Sequence, residues 1–166
     1  MARKTAFMGV FLALALILSY IESLIPINFG IPGIKLGLTN ILILIVLYEK
    51  GAKEALILSV VRVVLAGFMF SNLFGILYSL AGCLLSFLVM FIMKKSDLFR
   101  IIAVSTAGGV AHNLGQIAVA AVVVENINMF IYFPVLMISG IITGIVIGLL
   151  AGEIIIRTGK IFDTEG

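Results

Sequence analysis

Arg62 is the residue that most needs a chemical explanation. It lies about eight residues into the apolar run 54–70, roughly 12 Å from its start at 1.5 Å per helical residue. A guanidinium at membrane depth is costly and points to function by default. It needs a carboxylate, a cluster of carbonyls or an anionic ligand. The plainer reading is a salt bridge to Glu22, which stands near the far end of the first apolar run, so that such a pair has to span a difference in depth. A second group is His112, Asn113 and Gln116, whose spacing of three and four places all three on one arc of a helix. Gly108, Gly109 and Gly115 leave room around that arc. Together they suggest a ligand-facing wall; a lone histidine is more often a bundle residue. One histidine without a carboxylate or thiolate at ligand spacing makes no metal site.

The third feature is PINFGIPGIKLGLTN at 26–40, which interrupts nearly continuous hydrocarbon. Lys35 follows Pro32-Gly33 where the second span is expected to start. Free N–H groups, the positive end of the helix dipole and an ammonium together favour an anion there. The plainer reading is a lysine at the membrane surface. Asn40, one to two turns deeper, could add a hydrogen bond. The run Leu36 to Tyr48 makes only roughly 20 Å of helix, against a hydrocarbon core of about 30 Å. The preceding loop is therefore expected to dip inward, which non-helical backbone does only where it is buried in protein or lines a cavity. The loop reads as the lid or wall of a binding site. Glu22, Lys35, Asn40, Arg62, His112, Asn113 and Gln116 form the candidate substrate-binding set. The excess of basic groups favours a carboxylate or phosphate on an apolar body, such as an isoprenoid or quinone precursor or a vitamin.

Several chemistries are absent from the sequence. Thr158-Gly159-Lys160 lacks both the upstream glycine and the following Ser or Thr of a Walker A loop. The only aspartates are Asp97 and Asp163, so no aspartate-rich pair exists to hold magnesium against a diphosphate. No nucleophile elbow or Ser-His-Asp arrangement is present. Neither a catalytic site nor a cofactor is expected.

These residues must be positioned by membrane helices. Of 166 residues, 63% are hydrophobic and 11% charged, with mean hydropathy +1.32; soluble domains carry about 25% charged residues. The fold class is all-α, with residues 1–166 expected to form a single integral membrane domain. Spans are expected at roughly 5–25, 34–48, 54–70, 73–93, 100–124 and 130–156. Ser71 and Asn72 alone separate the third and fourth, which implies a tight helical hairpin. The first run is too long for the apolar region of a signal peptide and reads as a retained span. Six spans place Arg3, Lys4, Lys50, Lys53, Lys94, Lys95, Arg100, Arg157 and Lys160 on one face and Lys35 on the other, which puts both termini in the cytoplasm. Basic residues confined to short loops are no nucleic-acid signal. Cys83, the single cysteine, excludes an internal disulfide.

Small residues recur at helix-packing intervals. Gly140, Gly144, Gly148 and Gly152 form a stripe in the last span, best read as internal packing. Gly75, Ser79 and Cys83 make a shorter stripe in the fourth. In the first, Ala6, Gly9 and Ala13 are candidates for docking a separate membrane subunit.

PGIKLGLTNI at 32–41, AHNLGQ at 111–116 and the six-span layout resemble the bacterial membrane proteins called heptaprenyl diphosphate synthase component I, or Gx transporters. These in turn resemble the substrate-binding S components of energy-coupling factor (ECF) transporters. The resemblance covers nearly the whole chain, and PGxKLGLxN is its most specific part. It implies a six-helix subunit of the bacterial plasma membrane, surrounded by membrane lipid. Such a subunit binds a small-molecule substrate from outside under the loop between its first two helices. It also implies a transmembrane coupling subunit and cytoplasmic ATPases as partners, met through small residues of the first helix. The synthase label implies instead a non-catalytic accessory subunit of a prenyltransferase.

Overall fold

The segment NILILIVLYE is apolar on every side after its first residue, a pattern that suits a helix enclosed by others rather than one facing lipid. The computed structural model describes residues 2–24 and 37–163. It forms this segment into the central helix of an all-α bundle. The α-helices are α1 (Ala2–Leu24), α2 (Asn40–Glu49), α3 (Ala52–Phe70), α4 (Leu73–Lys95), α5 (Ile101–Val123) and α6 (Phe133–Asp163); a 3-10 helix, Ile127–Tyr132, precedes the last. Leu42 to Leu47 are all buried. They meet Phe11 of α1, Leu58 of α3, Met90 of α4, Val104 of α5 and Ile147 of α6 in one apolar core.

α2 is shorter than the sequence suggests. The expected span began at residue 34, whereas the helix begins at Asn40. Gly37 takes φ +69°, a left-handed conformation that glycine adopts without penalty and that a right-handed helix cannot run through. Ten residues make about 15 Å of helix, half of a bilayer core. Lys35, and the loop 26–40 read as a lid as far as residue 36, lie outside the described residues.

A short buried helix exposes its unpaired backbone ends to the protein interior. Neighbouring helices supply the partners. At the N-terminal end the Glu22 carboxylate of α1 accepts the Leu38 N–H at 2.9 Å. At the C-terminal end the Lys94 ammonium of α4 donates to the Leu47 carbonyl and lies over the Tyr48 ring at 4.8 Å. An anion at the helix start and a cation at its end both suit the macrodipole.

The remaining helices follow the expected order within a few residues. Four segments, Lys4–Leu24, Leu73–Lys95, Ile101–Val123 and Ile127–Thr158, are long and apolar enough to cross a membrane. α3 carries Lys53, Glu54 and Arg62 in its 19 residues. Large apolar side chains such as Phe68, Ile92, Ile138 and Leu149 lie exposed on the outer faces. That surface fits lipid and not water, and the molecule is a membrane protein. The α3–α4 connection is the tight hairpin anticipated, with the Asn72 side chain capping α4 by accepting the Gly75 N–H at 2.8 Å.

Basic residues collect at one end of the bundle. Lys4 pairs with Glu54, Lys50 stands 4.8 Å from the Phe7 ring centre, and Lys94 closes α2.

The glycine stripe of α6 packs inward. A Cβ on Gly140 would stand 2.9 Å from the Gly109 carbonyl of α5, and one on Gly144 would stand 2.6 Å from the Thr106 Cα. Backbone contacts this close leave no space for a side chain. The small residues of α1 differ: Ala6, Gly9 and Ala13 are exposed, and a Cβ on Gly9 would meet nothing within 4 Å. We predict that Gly140→Leu costs at least 1–3 kcal/mol through overpacking, read as an early thermal transition in detergent, while Gly9→Leu melts like the parent protein. Equal melting of the two variants would contradict this packing.

Candidate functional site: two adjoining cavities

Because α2 occupies only half the depth of the bundle, the other half is bounded by longer helices with polar residues on their inner faces. Ser19, Glu22 and Ser23 share one face of α1 by their spacing of three and four. Arg62, Ala66 and Phe70 share one of α3, and Gly75 and Ser79 one of α4. These faces, with Ser71 at the hairpin, enclose a cavity of about 250 Å³.

Arg62 dominates this cavity. Its Nε is buried and has no hydrogen-bond partner among the described residues, and the Ser19 Oγ is in the same condition. A buried donor without a partner costs about 1–3 kcal/mol, and more when charged, so each such atom in a native protein calls for an explanation. Glu22 lines the same cavity and acts on Arg62 electrostatically. It does not serve Arg62 alone, because it also accepts the Leu38 N–H. One turn before Arg62, the buried Ser59 hydroxyl lies 2.9 Å from the Cys83 thiol of α4. A guanidinium with a free N–H beside several hydroxyls can receive an anionic group of a ligand.

A second cavity of about 460 Å³ adjoins the first. It lies between the start of α4, the end of α5, the 3-10 helix and the start of α6, and Ser71, Gly75 and Ser79 belong to both walls. Its lining is mainly apolar and aromatic, including Phe74, Tyr78, Ile117, Met129, Tyr132 and Leu136, with Gln116 as a buried polar group.

The expected polar arc of α5 is divided among three neighbours. Gln116 reaches the second cavity. Asn113 turns to α6, where its Nδ2 donates to the Leu136 carbonyl at 2.7 Å; it ties two helices together and is not a ligand contact here. His112 packs against α4, where a Cβ on Gly82 would stand 3.0 Å from its Cε1. Three residues within one arc can part in this way because α5 is wedged between α4 and α6. Asn40 stays beside Gly37 at the start of α2, its Nδ2 3.4 Å from where a Gly37 Cβ would stand, and lines neither cavity. Of the candidate set, Glu22 and Arg62 come together and Gln116 lies next door. The sequence reading missed Ser19, Ser23, Ser71 and Ser79. Their signal was present as polar residues three or four apart in otherwise apolar helices, and Gly75 and Ser79 had been read only as packing.

A family model described as heptaprenyl diphosphate synthase component I matches residues 11–154, a stretch that runs from α1 into α6 and contains every lining residue of both cavities. The chain belongs to the heptaprenyl diphosphate synthase component I family. That name denotes one component of a synthase and implies at least one further subunit, in accord with a chain that is not itself the enzyme. Neither a curated protein nor a solved structure gives a significant match.

If Arg62 served only to pair with Glu22, its removal would strand a buried charge and cost about 3–5 kcal/mol. A residue kept for a ligand behaves differently, since its desolvation burdens the ligand-free protein. We predict that Arg62→Met leaves the melting temperature of ligand-free protein unchanged or raised. Asn113→Leu, which removes a buried helix–helix hydrogen bond, should cost about 1 kcal/mol. A large loss in Arg62→Met would assign Arg62 a structural role.

Proposed function

We propose that this chain is the ligand-binding membrane subunit of a transport complex of the ECF kind. In this reading it takes a small anionic or amphipathic metabolite into the Arg62 cavity from the end of the bundle opposite the basic residues. The observation that carries the proposal is the buried, partnerless Nε of Arg62 beside the Ser19 hydroxyl in a cavity of about 250 Å³. Such an arrangement is expensive for a purely structural helix contact and suits an anion that completes it. Lys35 is proposed as a second cation for the same ligand. The basic end is proposed to face the cytoplasm, with both termini there. The exposed face of α1 around Ala6, Gly9 and Ala13 is then the contact for a transmembrane coupling subunit that recruits ATPases.

Family membership favours a second reading. The chain would be a non-catalytic membrane subunit that holds a heptaprenyl diphosphate synthase where its lipid product belongs. Native mass spectrometry of protein extracted gently from its own membranes separates the two. The transport reading expects a retained small anion together with a membrane subunit and ATPases. It further expects Gly9→Leu to lose those subunits while melting normally, and Arg62→Met to lose the small molecule while keeping them. Recovery of a soluble synthase with no retained small molecule would favour the second reading and remove the first.

A further inference from the structure

We infer that the two cavities act as one bipartite site, with an anionic headgroup held in the Arg62 lobe and an apolar or aromatic tail in the lobe lined by Phe74, Tyr78 and Tyr132. The inference rests on the ligand-binding reading above and specifies the ligand class. The lobes adjoin along the start of α4. They share Ser71, Gly75 and Ser79, three small residues at intervals of four. Gly75 is the saddle between them. A Cβ there would stand 2.1 Å from the Ser71 Oγ and 3.4 Å from the Asn72 Oδ1, so the hairpin's own side chains crowd this position and a larger residue would push them into the cavities.

The lobes differ in chemistry. The smaller presents a guanidinium and hydroxyls, and its single carboxylate, Glu22, is already engaged by the start of α2. The larger lobe has about 460 Å³ of space with Phe74, Ile117, Met129, Leu136 and two tyrosines around it. Together the volumes fall within the roughly 300–1,000 Å³ typical of small-molecule sites, whose linings are likewise mostly apolar with a few fixed polar groups. Either lobe alone would serve a polar anion or a hydrocarbon. Joined, they select a molecule that has both.

The test uses full-length protein in phosphatidylcholine nanodiscs, titrated calorimetrically with methyl, butyl and octyl phosphate, the carboxylates of matching chain length, and octanol, with empty nanodiscs as the partition control. Affinity should rise up to about fourfold per added methylene in at least one acid series and exceed that for octanol. Arg62→Met should weaken short and long acids alike by tenfold or more. Ala120→Phe and Ile117→Trp, both in the apolar lobe and outside the lining of the Arg62 lobe, should reduce the octyl acid to the affinity of its methyl counterpart and leave the latter unchanged; two variants guard against one that fails to fold. If chain length makes no difference while Arg62→Met still abolishes binding, the bipartite site is wrong and the anion site stands. If octanol binds as well as the acids, or Arg62→Met has no effect, the ligand-binding reading itself fails. If no acid binds, both fail. Competition by phosphatidylglycerol in the nanodisc would identify the amphipathic anion as a bilayer lipid, and its absence a metabolite; either supports the site.

Discussion

The bundle depends on burying a helix that spans only half its depth and begins inside the protein. α2 is ten residues long and apolar throughout its buried stretch, so packing against α3 and α6 within the common apolar core places it without difficulty. Its ends are the harder problem. Each end of an α-helix leaves up to four backbone groups without intrahelical partners, and a buried unsatisfied group costs about 1–3 kcal/mol. The tight first turn satisfies some internally, with Asn40 N–H bonded to the Gly37 carbonyl at 2.8 Å and Ile41 to Leu38 at 3.2 Å. Glu22 and Lys94 supply the charged partners at the two ends. Two residues that look like scattered membrane charges in the sequence thus have a common structural reason, which is to hold a half-length helix at its inner and outer ends.

That constraint also determines where a ligand can be held. Where α2 stops, the neighbouring helices continue, and among the described residues their inner faces border a cavity. Serines, glycines and Arg62 occupy those positions, while the same helices contribute phenylalanine, leucine and methionine to the core around α2. Glu22 belongs to both arrangements. It terminates α2 and borders the cavity, so the charge that stabilises the fold also sets the field that Arg62 experiences.

Much of this was legible in the chain. The six apolar runs, the two-residue hairpin and the four-residue glycine period follow from hydropathy and spacing, which depend on local chemistry alone. The start of α2 was not legible, since it depends on Gly37 adopting a left-handed conformation that LGLTN permits without requiring. The α5 arc was legible as an arc, but its division between Gln116 at a cavity, Asn113 on Leu136 and His112 against Gly82 depends on neighbours no helical wheel contains. The serine cluster escaped notice for the same reason. Ser19, Ser71 and Ser79 are unremarkable singly, because a hydroxyl can satisfy itself on its own helix, as Thr106 does on the Ile102 carbonyl at 2.7 Å. Only their convergence on Arg62 gives them meaning.

Arg62 and Lys94 show how the same kind of charge takes opposite roles. Lys94 stands at a helix end, within reach of the surface, with a carbonyl and an aromatic ring to receive it. Its cost is offset inside the protein. Arg62 stands in the middle of α3 with its Nε unmatched among the described residues, although a Leu or Met there would carry no electrostatic cost. An unmatched charge at that depth is costly, and the proposed ligand would complete it. The presence of an apolar lobe next to it, reached over a glycine rather than a leucine, argues that what completes it is more than a simple ion. An inorganic anion would need the guanidinium and the hydroxyls, but it would have no use for the aromatic walls beyond Gly75.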